Sequence, residues 1–99
     1  MTTYRRIEAV RVTVSILRAL SNQRQPVNGQ ELARELDIPA GTVMCHLATL
    51  EDEGLVRSIG GAYELGMGMS IFWARYKSLV EGKIDRLNNE LKQLEVDHG

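Results

Sequence analysis

The chain has 99 residues, enough for one folded domain with a small appendage. Folding at that size hides roughly two-thirds of the surface an unfolded chain exposes, so a core forms without metal or disulfide staples. Twelve basic and 13 acidic side chains leave a formal net charge of -1, which excludes the strongly basic balance of a protein that coats nucleic acid without regard to sequence. The single cysteine, Cys45, cannot close an internal disulfide. No apolar stretch approaches the ~18 residues of a membrane span, and no apolar run follows the basic pair Arg5-Arg6. The expectation is a cytoplasmic protein without a membrane partner.

The first periodic segment runs from Ile7 to Leu20. Ile7, Val10, Val14 and Leu17 recur at helical steps, and Val12, Ile16 and Leu20 widen the apolar side. β-branched residues are frequent there, so a strand is the alternative, but a period of two is missing and helix is favoured. Ser21-Asn22-Gln23 and then Pro26 end it. Asn28 caps a second helix, with Glu31 at the capping-box position and Leu32, Ala33 and Leu36 on the inner face. Asp37-Ile38-Pro39-Ala40 makes a turn. A third helix follows from about Ala40 to Glu53, burying Val43, Leu47 and Leu50 and stopped by Gly54 in a left-handed conformation.

Leu55–Ile59 and Ala62–Leu65 flank Gly60-Gly61, a strong signal for a two-residue hairpin. Gly66 and Gly68 read as a loosened hinge, with Met67 and Met69 as core-filling thioethers. A last helix spans about Met69 to Val96. Its apolar positions are Trp73, Val80, Ile84, Leu87, Leu91 and Leu94, and from Val80 the steps are four, three, four, three, the spacing of heptads. Phe72, Trp73 and Tyr76 crowd its start and are expected in the core, against helix one, or in a dimer. The predicted fold is mainly α with a small β-hairpin, four helices in all. A winged helix-turn-helix over 1–68 is followed by a long, coiled-coil-like C-terminal helix over 69–99 that dimerises. Ile16, Leu32, Leu36, Val43, Leu47, Leu50 and Leu55 are the expected shared core. In such a fold the second helix of the helix-turn-helix commonly enters the DNA major groove.

The runs Arg18-Ala19-Leu20, Glu31-Leu32-Ala33, Leu36-Asp37-Ile38-Pro39, Thr42-Val43, Leu47-Ala48-Thr49-Leu50-Glu51-Asp52-Glu53-Gly54-Leu55-Val56 and Tyr63-Glu64-Leu65-Gly66 resemble the DNA-binding domain of IclR-type transcription regulators, over roughly residues 7–70. The resemblance implies a dimeric regulator that binds an operator, with helix three as the recognition helix. It departs from the family in two respects. Family members usually continue into an effector-sensing domain, which this chain is expected to lack, so sensing a small molecule by that route is not expected. The family also tends to carry polar or basic side chains where this helix three has Met44, Cys45 and His46.

Opposite the apolar face of helix three lie Ala40, Gly41, Thr42, Cys45, His46 and Thr49, with Met44 near the edge. Small residues at its amino end let the backbone approach phosphates, which the helix dipole favours. Thr42 and Thr49 suit phosphates or thymine methyls, and His46 a base or phosphate. No arginine, asparagine or glutamine on this face can bind a base edge in bidentate fashion. Arg34 on helix two and Arg57 on the first wing strand, with Arg5, Arg6 and Arg11, make a candidate phosphate clamp. Residues 1–58 carry seven arginines against seven acids, so this half is neutral overall. The acidic run Glu51-Asp52-Glu53 is expected to face away from a duplex.

Cys45 beside His46 offers neither a metal site, which needs three or four ligands, nor a catalytic pair, since helical neighbours point about 100° apart. No enzyme, cofactor or metal is expected. The leading reading is a sequence-specific DNA-binding regulator acting as a homodimer on double-stranded DNA, nucleoid-associated in the cytoplasm. The alternative is a winged-helix scaffold that docks another protein, favoured by the net charge and the apolar outer side of helix three. The last helix is open to its own copy or to a different chain.

Overall fold

The computed structural model describes residues 3–98, in the order α1 (Glu8–Ser21), β1 (Val27–Asn28), α2 (Gly29–Leu36), α3 (Ala40–Asp52), β2 (Val56–Ile59), β3 (Ala62–Leu65) and α4 (Met67–His98). Two units pack internally, Met1–Met69 and Ser70–Gly99. In the first, α1, α2 and α3 enclose a core with the sheet at its side. Ile16, Leu32, Val43, Leu47 and Val56 are fully enclosed there, while Leu36 and Leu55, expected inside, sit half-buried at its margin.

Asn28 begins α2 as its sequence predicts. Its Oδ1 accepts the Glu31 backbone N–H at 2.8 Å, meeting one of the amides that a helix start leaves unpaired. An N-cap residue has extended backbone angles, and here φ -75 and ψ 156 also let Val27 and Asn28 act as a short strand. That strand, β1, pairs antiparallel with β3, Val27 against Tyr63 and Asn28 against Ala62, so the expected hairpin is a three-stranded sheet in the order β1-β3-β2. At the far end of α2, Asp37 takes the left-handed conformation (φ 55, ψ 48), and the Ile38 N–H reaches back to the Ala33 carbonyl at 3.0 Å. Aspartate tolerates this conformation better than most residues. Pro39 then opens α3 where a missing amide is harmless.

Gly54 (φ 74) ends α3 in the left-handed region, and Gly60 (φ 56) and Gly61 (φ 83) supply the two positive φ angles of a type I′ turn. Gly66 and Gly68 are not a hinge. The Gly68 N–H donates to the Gly54 carbonyl at 3.0 Å, and a Cβ at Gly68 would lie 2.6 Å from that oxygen. α4 begins at Met67, and Met67 itself is exposed rather than filling the core.

α1 shows the other departure. Ile16, Ala19 and Leu20 are buried, whereas Ile7, Val10 and Val14 stand exposed. At 100° per residue, Val14 lies about 160° around the helix from Ile16. This helix is therefore apolar on two opposite sides, and the winged unit covers only one of them.

The second unit is helix. Ile84, Leu87, Leu91 and Leu94 are each more than half exposed along it, and Val80 is half-buried. Phe72, Trp73 and Tyr76 are about two-thirds exposed in the single chain, so they are not core residues. No helix among the described residues is long and apolar enough to cross a membrane.

Candidate nucleic-acid interface

α3 buries Val43, Leu47 and Leu50 and exposes Ala40, Gly41, Thr42, Met44, Cys45, Ala48 and Thr49. Gly41 and Cys45 crown the outward side, flanked by Thr42 and Thr49 on one hand and Ala40 and Met44 on the other, as a 3.6-residue period requires. Asp52, seven residues beyond Cys45, shares that outward side. Orientation thus does not hide its carboxylate. Distance separates it only from the amino end, since Asp52 lies ~16 Å along the axis from Gly41 but ~4.5 Å from Thr49. The helix end that can approach phosphates is the amino end, where the dipole is positive and no acid stands.

His46 is not on the outward side. It is half-buried against α1, with Nδ1 2.8 Å from the Thr13 hydroxyl oxygen. The same Thr13 hydroxyl also reaches the Ala9 carbonyl at 3.0 Å, so it links the imidazole to the backbone of α1. Ala9, Thr13, Cys45, His46, Thr49 and Leu50 line one cleft between α1 and α3. His46 therefore ties α3 to α1 instead of standing on the outward side where the sequence placed it. The Thr49 hydroxyl turns back to the Cys45 carbonyl at 3.1 Å.

On the other side of α3 a broad groove is lined by Asn28, Gly29 and Gln30 from the start of α2, Ala40, Gly41 and Met44 from the start of α3, and Gly61 of the wing turn. Two helix amino ends and the wing tip thus converge. Gln30 was missed by sequence reasoning, although its place two residues after the cap Asn28 put it at a helix start. Gly29 is buried there, and a Cβ on it would meet the Met44 sulfur.

The arginines divide. Arg34 is exposed in the last turn of α2. Arg57 is paired: its Nε donates to Glu64 Oε1 at 2.8 Å, and its Nη2 reaches the same oxygen. The signal was in the sequence, because counting outward equally from Gly60-Gly61 sets Arg57 opposite Glu64, the register observed. An exposed pair of this kind is worth about 0–1 kcal/mol, but it halves the case for Arg57 as an unshared phosphate cation.

On α4 the helical spacing aligns Val80, Ile84, Leu87, Leu91 and Leu94 in one seam. Lys77 interrupts it toward Trp73. Its ammonium lies 5.7 Å from the centre of the Trp73 ring and 3.9 Å from Glu81. Among the described residues no three His, Cys, Asp or Glu side chains gather as a metal site would need.

Comparison with known proteins agrees with this geometry. A transcriptional regulator of the IclR type from Alicyclobacillus acidocaldarius superposes with a TM-score of 0.72 at 26% identity, over 76% of this chain and 31% of that one. The Agobacterium tumefaciens repressor BlcR gives 0.60 at 30% identity, over 70% of this chain and 28% of its own. An IclR family transcriptional regulator from Brucella abortus shares the fold, with a TM-score of 0.64 at 24% identity over 69% of this chain and 26% of that one. The chain spans less than a third of the length of these proteins. No curated protein sequence matches it. The model of the IclR helix-turn-helix domain matches residues 9–60, just over half of the chain, and to that family the chain belongs.

Proposed function

We propose that this chain is a DNA-binding transcription regulator that acts sequence-specifically as a homodimer, with helix 40–53 in the major groove and wing 55–65 on the backbone. The observation that carries the reading is the convergence of the amino ends of α2 and α3 with the wing turn on one groove lined by no carboxylate. Helix amino ends and glycine backbone are what a phosphate-bearing duplex needs at close range. The family supports the same reading. Arg34, Ala40, Gly41, Thr42, Cys45, Thr49 and Arg57 are the proposed contacts, and His46 positions α3 rather than touching bases.

The seam from Val80 to Leu94 runs ~21 Å along α4, and a narrow stripe at heptad spacing fits a second helix better than a globular surface. Val10 and Val14 on α1, with Ile7 at its N-cap, are exposed and give self-association a second apolar surface to cover. A two-fold pair carries two copies of α3, so half-sites would lie one or more helical turns apart.

A titration of genomic duplex fragments in a mobility-shift assay at two salt concentrations tests this. A few fragments should shift far ahead of the rest, because a near-neutral protein has little non-specific affinity. If no fragment shifts even at low salt, the scaffold reading takes its place, which the net charge of -1 and the apolar exposed side of α3 favour.

A further inference from the structure

We infer that α3 reads DNA through the 5-methyl groups of thymine, so that the half-sites are thymine-rich where this helix meets them. The inference rests on the proposed placement of α3 in the major groove. From Ala40 to Asp52 the helix holds no arginine, lysine, asparagine or glutamine, the side chains that bind guanine or adenine edges with paired hydrogen bonds. Two of its polar side chains are already engaged. His46 Nδ1 shares a hydrogen bond with the Thr13 hydroxyl at 2.8 Å, and the Thr49 hydroxyl donates to the Cys45 carbonyl at 3.1 Å. With its proton turned into the helix, Thr49 has a methyl group to offer a base.

Apart from the Thr42 hydroxyl, the exposed inventory is consistent along the helix: methyls on Ala40, Thr42, Ala48 and Thr49, a thioether on Met44 and a thiol on Cys45. Thymine is the one base with an apolar group in the major groove. Methyl and sulfur groups gain by covering it. Against a G·C pair they would strip water from amino and keto edges and replace no hydrogen bond, which costs affinity. The nearby amides do not change this balance. The Asn28 Oδ1 is engaged in the α2 cap, and Gln30 stands at the groove rim beside Ala40 and Gly41 as a competing reader of adenine.

The test uses the full chain and a pool of duplexes with a random core. The selected duplex is resynthesised with deoxyuridine at each thymidine in turn, which keeps every hydrogen bond and removes one methyl. Binding should weaken about fourfold per contacted methyl, since one buried carbon group is worth ~0.8 kcal/mol, and about 16-fold for two. Thr49→Ser, which keeps the hydroxyl, should erase the difference between thymine and uracil at one position. A selected site indifferent to uracil throughout overturns the inference while leaving DNA binding intact. So does a preference for adenine that is lost in Gln30→Ala. A pool from which nothing is enriched removes the DNA reading itself, and this inference with it.

Discussion

Two glycines interrupt α4, Gly68 and Gly82, and helix propensity treats them alike: each is worse than alanine by ~1 kcal/mol. Their surroundings are opposite. A Cβ on Gly82 would meet nothing within 4 Å, whereas on Gly68 it would lie 2.6 Å from the Gly54 carbonyl oxygen and 3.1 Å from that carbon. The same oxygen accepts the Gly68 N–H at 3.0 Å, so moving apart to admit a methyl also stretches a hydrogen bond. Overpacking of this kind costs ~1–3 kcal/mol and the weakened bond ~1 more, against a propensity gain of ~1. Gly68→Ala should therefore destabilise by about 1–3 kcal/mol. In a domain of this size each kcal/mol lowers the melting temperature by ~4–8 °C. Gly82→Ala should instead raise helicity and stabilise by ~0.5–1 kcal/mol. Thermal unfolding of both variants followed by circular dichroism at 222 nm reads the two signs. A Gly68→Ala protein that melts as high as the unmodified chain would refute the close packing of the α4 start on Gly54.

Asn28→Ala removes the α2 cap and should cost ~1 kcal/mol in urea unfolding, while Asn28→Asp, which keeps the acceptor, should cost far less. Arg34→Ala should weaken binding at all DNA sequences and flatten the salt slope by ~1, read from mobility shifts over a range of salt. Arg57→Ala should do less, because Glu64 already shares that charge; Glu64→Gln should tighten DNA binding by releasing it. Truncating Leu87 and Leu91 together to alanine should convert the proposed dimer to a monomer in sedimentation, with the melting of residues 1–69 unchanged and operator affinity sharply lower as the linked half-sites separate. A monomeric unmodified chain at micromolar concentration would remove the homodimer.

What the sequence determined are features governed by residues three or four apart. The Asn28 cap, the left-handed stop at Gly54, the turn at Gly60-Gly61 and the buried face of Val43, Leu47 and Leu50 each follow from local backbone rules, and those residues sit where those rules put them. The family resemblance was legible for the same reason, since its motif lies on these elements. The tertiary structure decided whatever depended on a neighbour distant in the chain. α1 is apolar on two sides, and only its packing chose Ile16, Ala19 and Leu20 over Ile7, Val10 and Val14. β1 is two residues long, too short for any period, and exists because β3 lies beside it. His46 reads as a base contact on a helical wheel but turns to Thr13, 33 residues away, and Gly68 reads as a hinge until the Gly54 carbonyl fills the space of its missing side chain. A helix wheel knows which residues share a side. Which side is covered is fixed by the other elements, because burial and hydrogen-bond pairing are energies between surfaces rather than properties of one segment.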